Sequence, residues 1–285
     1  MLVRMGYRFD QDTAVTAVEG SPPDGRPRYG VTLDPEWGIS PATLHGGYLL
    51  AVACRAGLAD DPHPDLLAAA ASFLRTPSPG PAEATVERTR TGRRVGFSRV
   101  LLSQDGAPFL DATVTTGTLT CDDPEWADGA AVRMPVGMPA PEECPEMPAT
   151  LPDGRPIGMR SVRESRLDPR MPWLAGRFDG PPETAGWLRF ADGREPDDLS
   201  MPFFADGLPP VTFARGELGW VPTVQMTVLV RARPAPGWVL ARMRGGHQTG
   251  GYLDEDAQVW DSAGRLVAQA RQLAVTPRPS RPRSG

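Results

Sequence analysis

The chain contains no lysine: all 30 of its basic side chains are arginine. A Walker A phosphate loop needs a lysine to reach the phosphates, and a Schiff-base enzyme needs one as its nucleophile, so both are excluded. No GxGxxG follows a strand-like run, and no GxSxG elbow is present to support an α/β-hydrolase mechanism. Cys54, Cys121 and Cys144 are odd in number and never spaced as CxxC, which argues against a disulfide framework and against a zinc site. His45, His63 and His247 are scattered, so histidine does not supply a metal cluster either. The most apolar stretch, Leu66 to Leu74, is far shorter than the roughly 20 residues of a membrane helix. Met1 to Asp10 has no long apolar segment of the secretory kind, and the expected compartment is the cytoplasm. A net charge of -5 argues against nucleic acid, which selects a basic patch or stripe.

What remains is enough to build a core. The 285 residues fit one large domain or two ordinary ones, and 40% of them are hydrophobic. The strongest positive signal is that the chain repeats itself. Pro64 aligns with Pro222 and Gly106 with Gly264, each pair 158 positions apart (222 − 64 and 264 − 106). Between these points Pro79-Gly80 answers Pro236-Gly237, one residue out of step.

Both copies read as a four-stranded meander, at about 65–76, 81–92, 94–104 and 107–119, then about 222–234, 237–247, 250–261 and 265–275. β-Branched residues are enriched, and alternation appears in Ala84-Thr85-Val86-Glu87 and in Val224-Gln225-Met226-Thr227-Val228. Thr91-Gly92, Asp105-Gly106 and Ala263-Gly264 mark turns. A helix precedes each meander, from about Gly46 to Ala59 and from about Asp198 to Arg215. The first is apolar nearly all round, so it must be buried, wrapped by the sheet. Two further strands are expected ahead of each helix, at about 7–17 and 27–34, then 158–166 and 184–191. The resulting plan is an α+β unit over 1–120, a proline- and acid-rich linker over 121–156, a second unit over 157–276 and a disordered tail over 277–285.

With these elements in place, the sequence resembles the hotdog superfamily, and within it the type II acyl-CoA thioesterases built from two fused hotdogs. In the first half the resemblance rests on Leu44-His45-Gly46-Gly47-Tyr48. In the second it rests on Phe203-Phe204-Ala205-Asp206, on Pro222-Thr223-Val224, and most specifically on the run from Trp260 to Gln272. The resemblance implies a double hotdog, each unit an antiparallel sheet wrapped around a long central helix. It also implies an acyl-CoA or acyl-carrier thioester as substrate, hydrolysis in lipid metabolism, and no cofactor or metal. Its catalytic group of carboxylate, hydroxyl and glutamine falls on Asp206, Thr223 and Gln272. A homo-oligomer is among the expectations, since hotdog pairs often assemble further.

Hydrolysis of a thioester needs a positioned water, a base to take its proton and donors for the developing oxyanion. Asp206 suits the base, and burial would raise its pKa. Thr223 and Gln272 can orient the water without ionising. His45, Gly46 and Gly47 sit where a helix begins, and its unpaired N–H groups suit the oxyanion, with His45 capping the helix or lining the pocket. Nine residues after His45 stands Cys54, and nine before Asp206 stands Asp197, so a reciprocal site would pair those two and looks degenerate. Each residue also has an ordinary reading. Asp206 reads equally as a solvated or paired helix residue, Thr223 as a plain strand threonine, Gln272 as a surface residue and Cys54 as a small core side chain. Trp37, Trp187, Trp220 and Trp238 line a pocket or pack a core. Arg75, Arg93 and Arg94 are candidates to fork onto phosphate. Two other functions stay in view: a non-catalytic acyl-thioester binding protein, and a hotdog dehydratase or hydratase, which would need His45 working beside a carboxylate.

Overall fold

The computed structural model describes residues 6–20, 25–122, 124–151 and 154–276. The first half opens on a short helix, α1 (Arg8–Asp12), followed by β1 (Thr16–Ala17) and β2 (Arg28–Leu33). The strand expected across 7–17 is thus mostly a helical turn. Tertiary contacts override local preference here. Phe9 is fully buried against Trp37, Phe190 and Phe203, while Asp10 receives Arg55 at 3.0 Å and Arg194 at 2.8 Å. A small hairpin, β3 (Gly38–Ser40) and β4 (Thr43–Leu44), then delivers His45 to the start of α2 (Gly46–Leu58).

The meander of the first half is β5 (Asp65–Phe73), β6 (Gly80–Thr91), β7 (Gly96–Gln104) and β8 (Ala107–Gly117). The connector carries one short helix, α3 (Gly129–Val132), and does not simply lie over the surface. The indole Nε1 of Trp260 donates to Val132 O at 2.7 Å, that of Trp187 donates to Pro139 O at 2.8 Å, and Cys144 is buried. The second half follows with β9 (Arg163–Leu167), β10 (Glu183–Phe190), a five-residue α4 (Met201–Ala205), and β11 (Thr223–Val230), β12 (Val239–Thr249), β13 (Tyr252–Trp260) and β14 (Leu266–Val275).

Twelve of these strands form one antiparallel sheet in the order β1-β2-β6-β7-β8-β5-β11-β14-β13-β12-β10-β9. Six come from each half, and the halves join where β5 pairs with β11. The repeat offset carries Ala69 onto Thr227 and Ala70 onto Val228. The register pairs Ala69 with Val228 and Ala70 with Thr227, so a pseudo-twofold axis passes between them. This is a double hotdog of the α+β class.

Helix α2 is buried along almost its whole length, as its sequence requires: Tyr48 to Cys54 are all 3% exposed or less. Only Arg55 offers a charge, and it leaves the core to reach Asp10 and Thr13. The second long helix, expected over 198–215, is broken. A 3-10 turn over Asp198–Ser200 leads into α4, which stops at Asp206, and another 3-10 turn covers Val211–Arg215. Pro209 and Pro210 supply no N–H and push the residue before each out of the helical region, so the helix cannot continue through them. The early stop leaves Asp206 at the C-cap. Helix α4 packs antiparallel on α2: Gly47 faces Pro202 and Asp206, while the far end of α2 lies beside the turn at Asp198. Among the described residues no helix is long and apolar enough to cross a membrane. The tail proposed for 277–285 lies outside the described residues.

Candidate active site

The two halves meet over a cavity of about 560 Å³. Leu49, Phe73, Met159, Leu208 and Phe213 give it an apolar wall, and Met147 and Leu151 of the connector extend that wall. His45, Gly46, Arg163, Asp206 and Thr223 supply its polar lining. Arg75 and Arg155 are exposed residues of the same lining, and Trp220, 48% exposed, stands with them. Arg93 and Arg94, the other candidates for phosphate, lie in the exposed β6–β7 turn and are not part of the lining. Trp37 is a core residue stacked on Tyr48, with ring centroids 5.2 Å apart.

Asp206 is one of the points where the halves touch. Its side chain is 12% exposed, and its Oδ2 accepts the Gly47 N–H at 2.8 Å. Burial pushes its carboxyl up to about 7, against the opposing pull of the Gly47 N–H and the Arg163 charge. A carboxylate so placed holds or takes a proton near neutral pH.

His45 is the N-cap of α2. Its Nδ1 accepts the Tyr48 N–H at 3.3 Å, which leaves Nε2 to carry the hydrogen and donate to the Asp206 carbonyl at 2.9 Å. Burial, reinforced by the Arg163 charge, holds the imidazole down at about 3, so it is neutral. Both ring nitrogens are committed to main-chain groups. Nε2 lies 3.4 Å from Asp206 Oδ2, yet the histidine has no lone pair free to act as a base.

The glycines answer a steric need that sequence patterns do not reveal. A Cβ on Gly47 would sit 2.5 Å from Pro202 O and 2.9 Å from Asp206 Cβ, so only glycine lets α2 and α4 come this close. Its N–H is taken up by Asp206 and is not available as the expected oxyanion donor. The Gly46 N–H, first of the helix, has no acceptor among the described residues, and Gly46 borders the cavity between Phe73 and Asp206.

Thr223 and Gln272 come together: Thr223 Oγ1 donates to Gln272 Oε1 at 3.0 Å. They share a face because of a bulge in β11. Thr223 pairs with Ala274, two residues from Gln272, whereas Gln225 has slipped to Leu273 and points outward. Without that extra residue Thr223 would point outward with Gln225. Asp206 and Thr223 line the same cavity, and no direct hydrogen bond joins Asp206 to Thr223 or Gln272.

One member of this network has no counterpart among the expected site residues. Glu255, directly across from Gln272 in the β13–β14 ladder, is 2% exposed. Its Oε2 accepts Gln272 Nε2 at 2.5 Å, and its Oε1 accepts the Val211 N–H at 2.8 Å. Burial raises its carboxyl, the two N–H bonds lower it, and the Asp206 charge raises it again. The amide of Gln272 is therefore fixed: nitrogen to Glu255, oxygen to Thr223. The Thr223 proton is committed to Gln272, so its hydroxyl offers the cavity lone pairs only. The acidic run Asp254-Glu255-Asp256 carries no spacing signal in sequence, and only the cross-strand register reveals Glu255.

The reciprocal corner of the pseudo-twofold is different. Asp197 caps the turn at Ser200 and pairs with Arg194. Its neighbour Asp198 approaches Cys54 instead, adding to the burial that pushes the Cys54 thiol up, while its Oδ2 accepts the Leu66 N–H at 2.6 Å.

Comparison with known proteins agrees with this architecture. Residues 33–119 match the model of the acyl-CoA thioesterase N-terminal domain, and residues 141–276 that of the acyl-CoA thioesterase C-terminal domain. An uncharacterized protein of Mycobacterium tuberculosis (strain H37Rv) is 32% identical over 86% of this chain and 89% of its own length. A protein of Thermobifida fusca YX, provisionally described as a thioesterase II, superposes with a TM-score of 0.83 at 31% identity, covering 95% of this chain and 98% of that one. A hotdog protein of unknown function from Alicyclobacillus acidocaldarius shares the fold, with a TM-score of 0.78 at 23% identity over 97% of this chain and 100% of its own.

Proposed function

Because the chain belongs to the acyl-CoA thioesterase family of fused double hotdogs, we propose that it hydrolyses an acyl-CoA to the free acid and CoA at the cavity shared by its halves. The observation that carries this reading is Asp206, a buried carboxylate held near neutrality at the edge of an apolar chamber. A general base works best when its pKa lies near the operating pH.

In this mechanism the water sits between Asp206 and the lone pairs of Thr223. Asp206 takes one of its protons as the oxygen adds to the thioester carbonyl carbon. Negative charge develops on the carbonyl oxygen, which the free Gly46 N–H and the positive end of α2 stabilise. The intermediate collapses with cleavage of the C–S bond. The departing thiolate takes the proton back from Asp206, leaving a carboxylic acid and CoA thiol. Gln272, oriented by Glu255, holds Thr223 in the accepting orientation.

The binding-module alternative needs only the chamber and gives no role to the Glu255–Gln272–Thr223 chain. The dehydratase alternative needs His45 as a base, and both of its nitrogens are engaged. Thiol release from acyl-CoAs of short, long and aromatic acyl groups tests the proposal. The wild type turns over at least one of them, and Asp206→Asn loses about 10²–10⁴-fold in rate, the worth of a positioned base. Saturable binding without turnover would favour the binding module, and unchanged turnover in the variant would remove Asp206 from the mechanism.

A further inference from the structure

Arg163, the first residue of β9, touches none of the reacting atoms in that mechanism and is placed at a cost. It is 7% exposed, its side chain makes one hydrogen bond, from Nε to Ser165 Oγ at 2.9 Å, and its Nη1 is buried without a partner. Burial depresses its pKa to about 10 despite the attraction of Asp206. The surrounding acids are committed elsewhere: Glu164 to Arg189 at 2.8 Å, Glu146 to Arg166 at 3.2 Å, and Asp206 to the Gly47 N–H. The Phe203 ring lies 5.9 Å from the guanidinium carbon. A buried guanidinium with no hydrogen-bonded carboxylate is unfavourable, and a ligand that completes it would account for its unpaired N–H.

The location indicates which ligand. Arg163 lines the main cavity and also a second one of about 130 Å³ that shares Met147, Ile157 and Gly158 with it. The guanidinium thus stands between the apolar acyl chamber and a small polar annexe. The phosphates of CoA are bulky and hydrated, and suit the exposed Arg75 at the lining rather than a side chain sealed this deeply. What reaches Arg163 is the acyl group itself, and a planar, donor-only fork is complemented best by a carboxylate.

We propose that Arg163 receives a carboxylate carried by the acyl group, so that this protein prefers thioesters of dicarboxylic acids over those of monocarboxylic acids of equal length. The proposal rests on the hydrolase reading of the same cavity. It is tested with matched pairs, hexanoyl- and adipoyl-CoA, octanoyl- and suberoyl-CoA, decanoyl- and sebacoyl-CoA, on wild type, Arg163→Met and Arg163→Lys. Turnover is followed by thiol release, and binding by titration with the corresponding non-hydrolysable thioethers.

In the wild type at least one dicarboxylyl member is favoured in kcat/KM and in thioether affinity, and the length at which this occurs reports the span from thioester to Arg163. Arg163→Met lowers the ratio within that pair by about tenfold or more, the effect of ~1.4 kcal/mol. Because any change at Asp206 affects both members alike, it cancels in the ratio. Arg163→Lys, which keeps the charge but loses the fork, falls between. Wild-type preference for the monocarboxylyl member at every length, or a ratio unmoved by Arg163→Met, overturns the proposal. If no thioester is hydrolysed at all, the hydrolase reading fails separately, and the thioether affinities still decide the role of Arg163. Should Arg163→Met not fold, Arg163→Lys decides alone: a lowered ratio supports the proposal and an unmoved one overturns it.

Discussion

At the scale of the residue, the site depends on which hydrogen-bonding groups are already occupied. His45, which only the dehydratase alternative makes a base, has its two nitrogens occupied by Tyr48 N–H and the Asp206 carbonyl. Gly47 looks like an oxyanion donor, yet its N–H serves Asp206. Glu255 is invisible in sequence and is the group that fixes the Gln272 amide. Glu255→Gln keeps the shape but lets the amide turn over, so Thr223 loses its fixed orientation. The expected result is a kcat lower by about tenfold, ~1.4 kcal/mol in the barrier, with KM little changed. Steady-state kinetics on one good substrate checks this, and an unchanged kcat would give Glu255 a purely structural part. The motifs pointed to Thr223 and Gln272, which are hydrogen-bonded to each other, and to Asp206, which lines the same cavity as Thr223. What they leave out is hydrogen-bond direction, which depends on partners far away in the chain.

At the scale of the element, the repeat, the two meanders and the buried first helix could be read from alternation, turn residues and the constant offset. The break in the second helix also had its signal in Gly207, Pro209 and Pro210, but the repeat, with a helix ahead of each meander, favoured a long helix over those residues. The β11 bulge had no such signal. Val224-Gln225-Met226 alternates like any strand, and only pairing with β14 shows that Thr223 and Gln225 face opposite ways. The close packing of α2 on α4 yields a sharp expectation. Gly47→Ala forces a methyl to within 2.5 Å of a main-chain oxygen, which no rotamer change relieves. Overpacking of this kind costs ~1–3 kcal/mol. Thermal unfolding of Gly47→Ala should show the loss, and it should be accompanied by reduced turnover, because Asp206 is displaced by the same movement.

At the scale of the whole molecule, the repeat leaves two corners related by the pseudo-twofold, of which the proposed mechanism uses one. That corner takes its helix start from the first half and its carboxylate from the second. The other corner holds Cys54 with a raised thiol and an Asp198 already bonded to Leu66 N–H. Cys54→Ala should therefore leave thiol release close to wild type, and a large loss of turnover in a well-folded variant would mean that the second corner works too. The same architecture sets the pH dependence. Asp206 is raised to about 7 because α2 and α4 bury it between the halves. Below that value it is protonated and cannot accept a proton from water, and above it the base is ready. The most direct test is the pH profile of kcat/KM for a neutral acyl-CoA substrate. The rate should fall about tenfold per unit below a midpoint near pH 7 and be level just above it. A profile that stays flat down to the range of an ordinary aspartate, near pH 4, would contradict a buried Asp206 as the base.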